Sequence, residues 1–251
     1  MKIAVCIKRV PDMEQRFKIA SSGDAIDESG VKFDMSDFDG YALEKALQIV
    51  EQKGQGEVVA ISLGPDAVQE TLRKALSMGA ARAIHLKSDV VPFDSFAIAR
   101  ALAAELRDGG YDLMLFGKIA LDTANGIVGP VTAELLGVPC VTAVSRLDLL
   151  DNGRATARRE LEGAAAILEF PLPAVVTIDE GPWRPRLPSL KGIMAAKKKP
   201  LDVKPAQLGD QRVRVKAMEL PAERTGGRII GEGAAAVPEL VRLLQTEAKV
   251  L

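Results

Sequence analysis

Leu115-Phe116-Gly117-Lys118-Ile119-Ala120-Leu121-Asp122-Thr123-Ala124-Asn125-Gly126-Ile127-Val128-Gly129-Pro130 joins an apolar run that begins at Tyr111 to a second apolar segment that ends near Gly137. The first run reads as a strand, the middle as a small and polar loop, and the second segment as a helix. Such a junction suits an anion. The first N–H groups of a helix have no intrahelical partner and carry the positive end of its dipole, and Gly117 and Gly126 let a ligand approach the backbone closely. Plain strand-to-helix turns in α/β proteins share this pattern, so its meaning depends on its surroundings.

Upstream, strand and helix alternate. Residues 2–10 read as a buried parallel strand, and residues 11–31 as an irregular hairpin with turn clusters at Ser21-Ser22-Gly23-Asp24 and Glu28-Ser29-Gly30. A helix capped by Ser36 or Asp37 runs to Lys53, since Tyr41, Leu43, Ala46, Leu47 and Val50 recur at helical spacing before Gly54. Strand 57–64, helix 66–78, strand 81–86, helix 93–107 and strand 111–116 follow. This alternation predicts an α/β fold with a doubly wound, mostly parallel sheet, whose ligands sit at the carboxyl ends of the strands. Three ends, at Cys6 to Arg9, Leu63-Gly64 and Gly117-Lys118, should converge on one crevice.

Downstream the pattern changes. Residues 141–150 and 154–161 read as a hairpin around Asn152-Gly153, and 165–170 and 174–178 as further strands, so the sheet gains antiparallel strands. Three prolines in residues 181–188 make an exposed, irregular loop, after which Ser189 caps a short helix through Ala196. Lys197-Lys198-Lys199 read as a solvated helix end. The expected division is an α/β domain over 1–200 and an extended arm over 201–251, with a turn at Thr225-Gly226-Gly227 and a last helix over 235–249. The arm has little apolar content before that helix, which suggests that it packs on a partner.

Composition narrows the function. The 251 residues are 47% hydrophobic and 4% aromatic, and 33 basic against 34 acidic residues leave a net charge of -1, so no field favours nucleic acid. Cys6 and Cys140 form neither a disulfide framework nor a metal-ligand spacing, which fits a reducing compartment. No signal-peptide pattern or apolar run of membrane-spanning length is found, so a cytoplasmic protein without membrane insertion is expected. His85, the single histidine, reads as a structural residue on a strand. The sequence has no Gly-x-Ser-x-Gly elbow, no Walker A lysine and no Gly-x-Gly-x-x-Gly after the first strand. A nucleotide here is expected to be held rather than hydrolysed, and no catalytic residue or metal site is assigned.

Val5-Cys6-Ile7-Lys8-Arg9-Val10, Leu63-Gly64-Pro65, Ala75-Leu76-Ser77-Met78-Gly79-Ala80, Gly117-Lys118-x-Ala120-x-Asp122 and Leu172-Pro173-Ala174-Val175-Val176-Thr177 follow one another in the order found in the electron transfer flavoprotein β subunit, which the chain resembles throughout. The most specific segment is Pro185-Arg186-x-x-Ser189-Leu190-x-Gly192-Ile193-Met194-x-Ala196-Lys197-Lys198-Lys199, and Glu223-Arg224-Thr225-Gly226-Gly227 resembles the family's ending.

The resemblance implies an adenine nucleotide alpha hydrolase-like fold and a heterodimer with an α subunit. It implies a shared FAD, a structural AMP in this chain, and electron transfer from flavin dehydrogenases to an acceptor oxidoreductase of the respiratory chain, with the chain a carrier rather than an enzyme. By the family pattern AMP would meet Cys6, then Ser36, Asp37, Phe38 and Asp39 at the helix start, and Leu63. It would also meet the loop residues Gly117, Lys118, Asp122, Thr123, Ala124, Asn125, Gly126, Ile127 and Val128. Leu190 would dock in a dehydrogenase, with Leu187, Ile193 and Met194 around it, or else pack under its own helix. The chain departs from the family at Met13, Asp37, Gly40, Ile119 and Thr123-Ala124-Asn125. Two further readings share the fold: a flavin-based bifurcating complex that oxidises NADH with a second FAD in place of AMP, and a stand-alone adenine-nucleotide-binding stress-type protein.

Overall fold

Strand β1, Lys2–Cys6, alternates its side chains between two cores, Ile3 and Val5 to one and Ala4 and Cys6 to the other. A strand covered on both faces needs apolar residues at every position, and this one has them after Lys2. It pairs in parallel with β4, Glu57–Gly64, on one side and β6, Leu113–Gly117, on the other. Outside β4 lie β5, Arg82–Lys87, and then β11, Leu201–Pro205. Outside β6 lie β10, Ala174–Ile178, β7, Cys140–Leu149, β8, Arg154–Leu161, and β9, Ala164–Pro171. The computed structural model describes residues 1–222 and 226–251, in two compact units, Met1–Ala217 and Met218–Leu251. The nine-stranded sheet belongs to the first.

Helices α1, Asp37–Lys53, and α2, Val68–Met78, bury Leu43, Leu47, Leu72 and Leu76 in the core on one face, which the short α5, Leu190–Ala196, joins through Ala196. Helices α3, Ser95–Arg107, and α4, Val128–Leu136, bury Leu102, Leu106 and Ala133 in the core on the other. The sheet is therefore doubly wound, as the alternation predicts. Gly54 and Gly137 end α1 and α4 in the left-handed conformation.

Four local readings change. The strand expected over 2–10 leaves the sheet after Cys6, and Arg9–Pro11 forms β2, antiparallel to β3, Phe33–Met35. The Lys8 N–H donates to the Asp39 carboxylate, and Pro11 has no N–H to give. Strand β10 is parallel and lies between β6 and β7, so β8 and β9 supply the antiparallel pairing. Its five residues, Ala-Val-Val-Thr-Ile, are all buried, the pattern of a strand inside a covered sheet rather than at an edge.

The proline-rich loop is irregular and largely exposed, as expected, but Trp183 within it is only 5% exposed, beneath the Lys45 ammonium 4.9 Å from its ring centre. Lys199 is not a solvated helix end, since its ammonium donates to the carbonyls of Leu76 and Ala80 at 2.9 and 2.6 Å. The sheet extends past residue 200 through β11, after which the Arg212 N–H donates to Asp94 and Arg100 donates to the Asp210 carbonyl.

In the second unit a 3-10 turn, Ala234–Ala236, leads into α6, Val237–Leu243, and a wider turn, Leu244–Ala248, with Arg242 paired to Glu239 and Arg228 to Glu247. Thr225, the first residue of the expected turn, lies outside the described residues together with Glu223 and Arg224. No described helix is long and apolar enough to cross a membrane.

Candidate functional site

From β1 the chain runs outward to β4 and β5, then crosses back to β6 on the other side of β1. That reversal leaves a gap beyond the carboxyl ends of the strands, where open α/β sheets bind ligands. A crevice open to solvent fills the gap. Cys6 lines it from β1, Lys8 from the link after β1, Leu63 from β4, and Phe116 and Gly117 from β6.

One helix start in this crevice is open and the other closed. At α3 the Asp94 carboxylate accepts the N–H groups of Phe96 and Arg212, at 2.9 and 2.7 Å. At α4 the residue before the helix is Ile127, which makes no side-chain cap, and Val128 and Gly129 line the crevice. The N–H groups of that first turn suit an anion. Both nearby ammonium groups are already engaged. Lys8 pairs with Asp122 at 2.6 Å and reaches the Thr123 hydroxyl, and Lys118 pairs with Asp179 at 2.7 Å over the Phe38 ring. An anion here would rely mainly on backbone donors, with Lys8 bracing the loop.

Asp39 holds the walls together. One carboxylate oxygen accepts the Lys8 N–H at 2.7 Å and the other accepts the Gly117 N–H at 2.9 Å, so one buried side chain ties the ends of β1 and β6 to the start of α1. Burial raises the Asp39 pKa to about 7, against the pull of those two donors and of the Lys8 charge. The Cys6 thiol is raised well above its ordinary value, by burial first and then by the Asp39 charge, so it stays protonated and unreactive. His85 is fully buried, with its ring 2.8 Å from the Gly64 carbonyl oxygen, in a structural role.

Of the residues expected to meet a nucleotide, Cys6, Asp39, Leu63, Gly117, Lys118, Thr123, Asn125, Gly126 and Val128 line this crevice. Asp122 sits behind Lys8, while Ala124 and Ile127 are exposed and do not line the crevice. Ser36, Asp37 and Phe38 line a second groove with Tyr41, Leu121 and Leu187. The separation follows from helix geometry, since residues one apart on α1 point in different directions and only Asp39 turns inward.

The sequence reading missed the β5–α3 wall, formed by Val91, Pro92, Phe93, Ser95, Ile98 and Leu102. Ser95 also accepts a hydrogen bond from Asn125 at 3.1 Å, which braces the loop. The signal was present: every β-to-α connection in a parallel sheet opens on the same edge, and Pro92-Phe93-Asp94-Ser95 is one of them.

Away from the crevice, Leu187, Leu190 and Met194 are 90%, 84% and 73% exposed, and Ile193 is also exposed. Leu190 is not packed under α5. The Ser189 hydroxyl caps that helix by accepting the Gly192 N–H at 3.0 Å.

Residues 24–208 match the family described as the electron transfer flavoprotein domain. The chain is 36% identical, over an alignment of 262 residues covering all of both chains, to the electron transfer flavoprotein subunit beta of Bacillus subtilis (strain 168). It is 36% identical over 234 residues to the Homo sapiens protein of that name, covering 90% of this chain and 91% of the human one. It is 36% identical over 260 residues to the mitochondrial subunit beta of Arabidopsis thaliana, with both chains fully covered.

Proposed function

The chain belongs to the electron transfer flavoprotein family as a β subunit, and we propose that its crevice holds AMP as a permanent part of the structure. In this reading the chain pairs with an α subunit that carries most of a shared FAD. The observation that carries it is the uncapped start of α4 facing an otherwise well-braced crevice. The phosphate would meet the N–H groups near Gly126, Val128 and Gly129, and the adenine would lie against apolar residues such as Leu63, Phe93 and Ile98. The groups that line the crevice bind and orient. The thiol is protonated and the single histidine is committed elsewhere, which suits a ligand that stays in place.

FAD, when bound, supplies the electron-accepting chemistry. Flavin dehydrogenases would reduce it and an acceptor oxidoreductase would reoxidise it, with the pair acting as a carrier in the cytoplasm. Leu220, Ile229 and Val250 are exposed in the second unit, which supports its packing on the α subunit. The exposed Leu187, Leu190 and Met194 support docking of a dehydrogenase at α5.

The heterodimer, co-expressed and purified, tests this reading. It is expected to carry flavin and to be reduced by a flavin dehydrogenase, and a flavin-free pair that no dehydrogenase reduces would contradict it. In the same assay Leu190→Ala should slow reduction by about tenfold, the size of a modest interface anchor, while flavin content stays that of the parent. Equal rates would remove the anchor role.

A further inference from the structure

We infer that Arg186 is a positioning residue for partner docking: its guanidinium, held across two carboxylates of α1, fixes the direction in which Leu187 and Leu190 leave the surface. This rests on the docking role proposed above for Leu190. Arg186 reaches Glu44 through its backbone N–H at 3.2 Å, Nε at 2.8 Å and Nη2 at 3.0 Å. It reaches Glu51 through Nη1 at 2.5 Å and Nη2 at 3.0 Å. Glu44 and Glu51 are two helical turns apart on one face of α1, so the planar fork spans both. Lysine, a point charge, could not.

The bond is aimed at a buried group. Glu44 is 4% exposed, and although burial alone would raise its pKa, the hydrogen bonds from Arg186 and Gln48 outweigh it and hold the carboxyl below its ordinary value. Two further pins lie within three residues. Trp183 is buried under Lys45, and Pro185 lies 3.4 Å from where a side chain on Gly40 would begin. On the far side Ser189 caps α5, and Gly192 packs so closely on the Ser77 carbonyl that a Cβ there would clash.

Between these fixed points Leu187 and Leu190 project almost fully into solvent. Two apolar side chains held outward on a rigid base lose little conformational freedom on docking, which is the benefit of preorganisation. With Arg186 removed, that direction would be averaged over many conformations, and each encounter would have to select the right one.

The experiment compares four heterodimers, each with its FAD: the parent, Arg186→Gln, Leu190→Ala and the double variant. Two readouts are used. The first is amide hydrogen exchange over residues 187–196, and the second is KM and kcat for reduction by a flavin dehydrogenase chosen because it reduces the parent. Arg186→Gln is expected to speed exchange over 187–196 by roughly tenfold, with β1 and β4 unaffected, and to raise KM about five- to tenfold while kcat changes little. The double variant should have a KM near that of the weaker single variant, because Arg186 acts through Leu190.

Parent-like exchange in Arg186→Gln, or KM effects that multiply in the double variant, would overturn the inference. A parent-like KM in Leu190→Ala would instead remove the docking reading itself, and the inference with it. If Arg186→Gln does not fold, Glu51→Gln, which removes only the outer carboxylate, should give the same changes at smaller size. Parent-like values for both readouts there would overturn the inference.

Discussion

Asp39→Ala is expected to destabilise the chain by roughly 2–6 kcal/mol, because it leaves two N–H groups, of Lys8 and Gly117, without acceptors in a buried place at about 1–3 kcal/mol each. Asp39→Asn keeps one acceptor but turns an amide NH2 toward the other N–H, so it should fall between parent and alanine. Denaturant unfolding followed by circular dichroism reads both. The loss should depend on pH in a definite direction. The Asp39 pKa is raised from 3.8 to about 7 in the folded chain, so the folded state holds its proton more tightly than the unfolded one. The contribution of Asp39 to stability is full below pH 3.8 and is lost as pH rises through about 7, and the gap between parent and Asp39→Ala should narrow over that range. A gap that widens from pH 5 to pH 8 would mean that the carboxylate is stabilised rather than strained by its site.

Gly117→Ala is the second large effect, expected at about 1–3 kcal/mol as an overpacking cost, with weakened nucleotide retention besides. A Cβ at Gly117 would lie 2.5 Å from an Asp39 carboxylate oxygen, 2.8 Å from the Phe38 Cβ and 2.9 Å from the Asp39 N. All three atoms belong to residues in the first turn of α1, so relief requires the helix start to move. That movement would pull Asp39 from the Lys8 and Gly117 N–H groups and widen the crevice. A melting temperature equal to the parent's, with nucleotide content unchanged after gel filtration, would show that the close approach of β6 and α1 is not needed.

These two residues illustrate what the sequence could and could not convey. Gly117 is legible as a place where a ligand could approach the backbone closely, a pattern that plain strand-to-helix turns share. What approaches it was not legible. Asp39 lies 78 positions away and reads locally as an acidic residue in a first helical turn, where the dipole alone would justify it. The parallel array followed from periodicity, since β4 and its neighbours are continuous apolar runs spaced by helices. The place of β10 did not, because pairing order is set by long-range packing that a run of five buried residues does not encode.

The proline-rich loop shows the same limit. Its prolines correctly excluded regular structure, but Arg186 and Trp183 are fixed by Glu44, Glu51 and Lys45, residues more than 130 positions earlier. Its exposure is legible in the sequence, whereas the burial of Trp183 is not. The resemblance named residues Ser36 to Asp39 as a block, while the helix turns Asp39 to the crevice and Phe38 to the neighbouring groove.

The central claim is that the crevice between β1, β4, β6 and α4 holds an adenine nucleotide that does not leave. The direct measurement is to denature the purified heterodimer and quantify what is released, by mass and by absorbance. One AMP and one FAD per heterodimer are the predicted result, with AMP lost or reduced in Gly117→Ala. A heterodimer that releases a single FAD and no other adenine nucleotide would contradict the claim, and one that releases two FAD and no AMP would replace the structural nucleotide with a second redox centre.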